Sequence, residues 1–221
     1  MGAQVEVETN ADSVEVYLGS RFAPGFFSWL VPTHKGRALA GLLARRNTGE
    51  HLEAFLRQLA NQGKISPLHA PARFGGIPLK PPRRTSGSRV IAVGDAAGQV
   101  KPTTGGGIYD GLLCADIAID VLDRAIAGND CSARALAEYE RRWKKLLSRE
   151  LRIDRWARRA FERLSDRRME RLFHVVQDSR ATEALLNAPD FSFDWHSRLI
   201  LRALWRFGPR AAVSLLWPSR A

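Results

Sequence analysis

The sequence predicts an α+β fold: an antiparallel sheet, then a strand–glycine–helix unit, then a largely helical C-terminal region. Three observations carry this. Apolar and polar residues alternate with period two in the first strand-like runs. A short apolar run, Val90 to Val93, stops at Gly94-Asp95 and is followed by Gly105-Gly106-Gly107. From Ser132 onward, apolar residues recur at helical spacing.

Taken in order, Val5, Val7 and Thr9 alternate with Glu6 and Glu8. Val14, Val16 and Leu18 alternate with Glu15 and Tyr17, which makes two strands with Asn10-Ala11-Asp12 as a turn between them. Phe26 to Val31 reads as a third strand closed by Pro32, and Leu39 to Ala44 as a fourth, in a sheet with polar faces outward. Leu52, Phe55, Leu56 and Leu59 put a helix over 50–62 that ends at Gly63. Gly, Pro and Ser make 74–88 a loop feeding a strand at 89–93. Ile108 to Ala127 reads as a helix stopped by Gly128-Asn129.

Beyond it, Tyr139, Trp143, Leu146, Ile153, Ala157, Ala160 and Leu164 form one stripe interrupted by Glu150. Further helices are expected over 166–178, over 182–186, and in the terminal stretch broken at Gly208-Pro209. Three parts result: 1–72, 73–130 and 131–221.

Charge follows the same division. Residues 1–133 hold 14 Lys and Arg against 12 Asp and Glu, whereas 134–221 hold 20 against 11 and five of the six tryptophans. An anionic partner for the C-terminal part is one reading, and a solvated basic face on ordinary helices is the other. Arg198, Arg202, Arg206 and Arg210 recur every four residues beside Leu199, Leu201 and Trp205, a pattern suited to a helix lying in a lipid headgroup layer. Nucleic-acid binding is disfavoured, because no recognisable module is present.

Met1 to Glu6 has no basic start before an apolar run, and Glu6 stands where a myristoylation motif wants Ser or Thr. Two cysteines are too few for a disulfide framework, so a reducing, cytoplasmic setting is expected, with peripheral membrane contact through the arginines. The five histidines form no ligand pair, and no metal site is assigned.

The stretch Val90 to Gly111 has the grammar of a cofactor site. A carboxylate at the end of a buried strand needs donors, so Asp95 suits sugar or polyol hydroxyls. A helix start offers unpaired N–H groups and partial positive charge, and glycines before it let a ring or phosphate reach the backbone. Neither common nucleotide loop is present: Asp110 stands where a G-x-G-x-x-G beginning at Gly105 would need its third glycine. Asp110 itself reads as an anion favouring the helix dipole, and Cys114 as a small buried apolar residue.

The motif Gly94-Asp95-Ala96-Ala97-Gly98, then Pro102, then Gly105-Gly106-Gly107-Ile108, closely resembles the second flavin motif of the geranylgeranyl reductase family. These are FAD-dependent oxidoreductases of the p-hydroxybenzoate hydroxylase-like superfamily. Phe26-Phe27-Ser28-Trp29-Leu30-Val31-Pro32 is similar to that family's aromatic-x-Trp-x-aromatic-Pro strand, with Leu30-Val31 where an aromatic is more usual. The resemblance runs from about residue 14 to about residue 160.

The resemblance implies FAD as cofactor. Gly94, Asp95, Ala96, Gly98, Pro102, Gly105, Gly106, Gly107 and Ile108 would contact it, Asp95 at the ribityl chain and the Gly105–Ile108 amides at the pyrimidine edge. N–H groups aimed at charge that develops on the ring would act as an oxyanion hole does. Phe27, Trp29 and Pro32 would line the substrate side, and an isoprenoid chain whose carbon–carbon double bonds are reduced is the implied substrate.

By the same resemblance, 1–72 is part of a substrate-binding sheet domain and 73–130 the second half of an FAD-binding domain, with 131–221 a basic amphipathic helical region. The chain is then an α/β family member that lacks the N-terminal dinucleotide-binding βαβ unit, truncated or completed by a second chain in trans. Other flavoproteins of the superfamily, monooxygenases or quinone-linked dehydrogenases, are alternatives, as is a non-catalytic remnant that binds lipid or a partner.

Overall fold

In the computed structural model, residues 1–34, 36–67 and 70–177 are described, with 187, 192, 194, 195, 197, 198, 200 and 201. The chain divides into two compact units, Met1–Gly76 with Phe161–His174, and Ile77–Ala160 with Val175–Ala221. The mixture of helix and antiparallel strand is the α+β class that the alternation predicts.

The first unit is a sheet of β1 (Gly2–Thr9), β2 (Glu15–Leu18), β3 (Phe27–His34), β4 (Arg37–Leu43), β5 (Ile65–Pro67) and β6 (Arg73–Gly75). The order is β2-β3-β4-β1-β5, with β6 also paired to β1. Strands β1 and β2 are therefore not a hairpin. Residues 10–14 carry the chain across to the far side of β3, because β4 and β5 take the two edges of β1. The period-two signal gives each strand but not its neighbour.

Ala3, Val5, Val7 and Thr9 all point inward, as the alternation requires. On β3, Ser28 and Leu30 are fully buried while Phe27 and Trp29 are half-buried on the other face. Pro32 does not close β3, which runs on to His34. It fits because β2 pairs only as far as Leu30, so the missing N–H falls where β3 has β4 alone beside it, next to a register shift. Helix α1 (Thr48–Asn61) lays Leu52, Phe55 and Leu59 on the core, and Gly63, at φ 68°, ends it as expected. The 74–88 loop yields its first residues to β6.

In the second unit, β7 (Ser86–Gly87) and β8 (Val90–Ile91) make a two-stranded ladder. A 3₁₀ turn over Gly94–Ala97 leads to α2 (Ile108–Ala127) and the long α3 (Ala133–Phe161). Cys114, Ala118, Val121 and Ala125 of α2 pack on Leu136, Tyr139, Trp143, Leu147 and Leu151 of α3.

The α3 stripe has a different phase from the sequence reading. Leu146 is 40% exposed and Leu147 is buried, while Glu150, Asp154 and Arg158 continue the buried side as polar residues. Helix α4 (Asp166–Gln177) matches the expected one, and Asp166 accepts from Ser20 N–H at 2.9 Å. The expected helix at 182–186 and the break at Gly208-Pro209 lie outside the described residues.

Candidate functional site

Strand β8 is short and not buried: Val90 is 59% exposed, since β7 is its one ladder partner among the described residues. Asp95 is likewise exposed, so the premise of a buried carboxylate in need of donors does not hold. The carboxylate is instead presented at the surface beside the start of α2. A Cβ on Gly107 would come 2.8 Å from Asp95 Oδ1 and 3.0 Å from Val100 Cγ2. Glycine at 107 is what lets the acid lie against the helix start.

The turn around Asp95 needs left-handed backbone at both ends, with Gly94 at φ 65° and Gly98 at φ 63°. At Gly98 a Cβ would also meet Pro81 Cα at 2.6 Å, so two independent constraints require glycine there. Ala96 is exposed, while Ala97 is buried and anchors the turn. Pro102 is buried in the bend that follows.

The amides divide into two sets. Gly105 N–H donates to Lys101 C=O at 2.8 Å and Gly106 N–H to Thr104 Oγ1 at 3.3 Å, so these two close the glycine bend. Helix α2 begins with no side-chain cap, and its first N–H groups have no acceptor within a helix. Ile108, 83% exposed, leaves that end open. The donors available to a ligand are therefore those at 107–110, one step further along than the 105–108 set.

A buried relay that sequence reasoning missed holds this turn. Gly94 N–H donates to Gln99 Oε1, Gln99 Nε2 donates to Tyr139 Oη, and Tyr139 O–H donates to Ala92 C=O, each at 2.8 Å. Burial pushes the Tyr139 phenol up to about 12. Trp143 Nε1 adds a bond to Thr85 Oγ1 at 2.8 Å, so α3 fixes both flanks of the motif. The signal in sequence was the Tyr139–Trp143 pair on the α3 stripe, which reads as plain core until its partners are known.

Asp110 also differs from its expected role. It does not cap α2; it is 1% exposed, and its Oδ2 has no hydrogen-bond partner among the described residues. Burial pushes its carboxyl up to about 6, against the pull of Lys101 and with added push from Asp154, Glu150 and Asp194. Lys101 Nζ meets Asp194 Oδ1 at 2.9 Å, and Thr103 Oγ1 meets Asp154 Oδ2 at 3.4 Å. Cys114 is buried as expected, its thiol pushed up to about 12.

In the first unit, the Phe27 and Trp29 rings lie 5.8 Å apart. Trp29 crosses the sheet over Gly41, where a Cβ would come 2.6 Å from its Cζ2. Pro32, by alternation, belongs to the opposite face with Ser28 and Leu30, so β3 brings two of the three residues together. Arg198 is exposed; Arg202, Arg206 and Arg210 lie outside the described residues. Among the described residues, no helix is long and apolar enough to cross a membrane.

The fold is that of a geranylgeranyl reductase-like protein. The chain superposes on the geranylgeranyl bacteriochlorophyll reductase-like protein of Thermoplasma acidophilum with a TM-score of 0.76 and 24% identity, over 97% of this chain and 53% of that one. No family model matches the chain.

Curated relatives carry the sequence comparison further. The digeranylgeranylglycerophospholipid reductase of Methanocaldococcus jannaschii is 36% identical over 173 residues, 75% of this chain and 44% of the relative. The corresponding protein of Methanothrix thermoacetophila is 30% identical over 211 residues, 93% of this chain and 50% of the relative. Over most of its own length the chain is thus similar to digeranylgeranylglycerophospholipid reductases. It spans about half the length of the curated relatives it matches.

Proposed function

We infer that this chain supplies the ribityl- and ring-facing half of an FAD site in an oxidoreductase that reduces carbon–carbon double bonds of an isoprenoid lipid. The observation that carries this is the pairing of an exposed Asp95 carboxylate with an uncapped α2 start, held side by side by Gly107. The residues present fit that half of the cofactor. Asp95 can accept from ribityl hydroxyls, and the 107–110 amides can donate to ring carbonyls and favour negative charge beside them. Gly94 and Gly98 shape the turn, with Ala96, Pro102, Gly105, Gly106 and Ile108 forming its rim. FAD, when bound, supplies the hydride chemistry, and the protein orients it.

The names of the relatives support the substrate class, since they are reductases of a digeranylgeranyl phospholipid. Phe27 and Trp29 offer an apolar wall suited to a prenyl chain, and the exposed Arg198 suits contact with an anionic lipid surface where such a substrate resides.

The test is flavin fluorescence quenching with the 221-residue chain. Weak, saturable binding is expected. Asp95→Ala removes a charge-assisted hydrogen bond and should weaken it about tenfold. Gly107→Val should abolish it, because the new side chain enters the space beside Asp95. Quenching equal in all three proteins overturns the reading.

A further inference from the structure

The flavin reading uses the N–H groups at the start of α2 and leaves one side chain of that turn without a task. Asp110 N–H belongs to the 107–110 donor set, while its carboxyl is 1% exposed and its Oδ2 has no hydrogen-bond partner among the described residues. A buried carboxylate with unused lone pairs is a costly arrangement, and one that a proton relieves. The charged groups that act on it are Lys101 from the bend after the 3₁₀ turn, Asp154 and Glu150 from α3, and Asp194. On α2 itself its titratable neighbour is Cys114, one turn on. The 3₁₀ turn brings Gly94 against this part of the helix, where a Cβ on Gly111 would come 3.5 Å from Gly94 Cα, and holds the exposed Asp95 beside Gly107. Among the groups that act on Asp110, three acids stand against one lysine, and that lysine already meets Asp194.

Two effects oppose each other here. The helix start favours an ionised carboxyl, and burial beside other acids favours a neutral one. Burial is the larger, because it strips water from a whole charge while the dipole offers about half of one. The balance leaves the carboxyl pushed up to about 6, within reach of either state near neutral pH. An anionic ligand at the 107–110 amides would change that balance. It would occupy the donors that favour the carboxylate, and set a second negative charge roughly one helical turn away, about 5 Å. At that range, in partly buried surroundings, like charges change each other's affinity about tenfold or more.

We propose that Asp110 is a proton-holding residue of the flavin site, which takes up a proton when negative charge gathers at the start of α2 and so lets the site accept the reduced, anionic ring. This rests on the flavin reading and deepens it, since the same residue would offer its N–H to the ring and its carboxyl to the compensating proton. The step is one proton passing from solvent to one carboxylate oxygen, with no bond to the cofactor, so Asp110 acts through the helix start. Well below pH 6 the carboxyl is already neutral, and the anionic ring meets no like charge. As pH rises through 6 the carboxylate repels that ring, and binding of the reduced form must bring a proton with it.

The experiment titrates the 221-residue chain with oxidised FAD and with dithionite-reduced FAD by anaerobic calorimetry at about pH 5, 6.5 and 8. Two buffers of different ionisation enthalpy count the protons taken up. The phosphate charges are the same in both forms, so the ratio of the two affinities reads the ring. In the parent, the preference for the reduced form should fall about tenfold from the lowest pH to the highest, with proton uptake largest at the middle one. Asp110→Asn should lose both dependences. The ring's own proton equilibrium is common to both proteins, so the difference belongs to Asp110. Asp154→Asn, which removes one acid acting on Asp110, should move the uptake to lower pH. Equal proton counts in the parent and Asp110→Asn, with Asp95→Ala still weakening both forms of FAD, overturn the proposal and leave the flavin reading in place. A loss of affinity for both forms alike in Asp110→Asn, with the count unchanged, assigns the residue to packing and also overturns it. Flavin binding indifferent to Asp95 removes the reading and the proposal together.

Discussion

Asp110 shows what a single residue can hide. In sequence it is an acid in the first turn of a helix, where the dipole favours negative charge, and Asp95 is an acid at the end of an apolar run. The structure reverses their burial: Asp95 is exposed and Asp110 is 1% exposed. The motif itself was legible because glycine spacing is a backbone property that needs no tertiary knowledge. Burial was not, because it depends on tertiary packing, which also brings the charges of Asp154 and Glu150 from α3, some forty residues on, and of Asp194 beyond it, to act on Asp110.

A consequence follows for stability. The Asp110 carboxyl is raised from 3.8 to about 6, so the folded state holds this proton more tightly than the unfolded chain. The contribution is fully present below about pH 3.8 and is lost as pH rises through 6. Asp110→Asn stays neutral throughout. It should therefore be more stable than the parent well above pH 6, by about 3 kcal/mol, and close to it near pH 3.5. Urea denaturation of both proteins at pH 3.5, 5 and 8 checks this, and a constant difference across the three would refute it.

Among elements, α3 shows how far periodicity reaches. Its helical character and the burial of Tyr139 and Trp143 follow from spacing alone. Its phase beyond Trp143 does not, since Leu147 and Leu151 take the core side while Glu150, Asp154 and Arg158 are buried as polar residues. A hydrophobic pattern cannot announce a buried polar face, whose satisfaction depends on partners from other elements. Sheet order was hidden for the same reason, as the alternation in β1 and β2 is silent on the β4 strand that takes the edge of β1.

The same helix supplies the clearest energetic test. Tyr139→Phe deletes one hydroxyl and leaves two groups without it, the buried Gln99 amide and the half-buried Ala92 carbonyl. Each stranded group costs on the order of 1–3 kcal/mol, so a loss of about 3 kcal/mol is expected. Because Gln99 also receives Gly94 N–H, the Gly94–Ala97 turn should loosen with it. Hydrogen exchange at Gly94 should rise beyond what the global loss explains. Exchange that rises in proportion to global stability alone would assign Tyr139 to packing only.

For the whole molecule, the proposed flavin reading carries a prediction about behaviour in solution. FAD has a ring-and-ribityl half and an ADP half, and tight retention draws on both. On the proposed reading, Asp95, the turn glycines and the α2 start would serve the first half. The 221 residues contain no G-x-G-x-x-G, the strand–turn–helix element that holds the pyrophosphate, and so nothing recognisable for the second. Halving a binding free energy near −12 kcal/mol turns a nanomolar constant into one near the micromolar-to-millimolar range. At such an affinity the cofactor leaves during gel filtration, where free ligand is removed continuously. The purified chain is therefore expected to elute colourless, with less than about a tenth of an equivalent of FAD in its absorbance spectrum. A yellow peak carrying one FAD per chain would mean that some surface of these 221 residues, unread in both sequence and fold, replaces the ADP contacts.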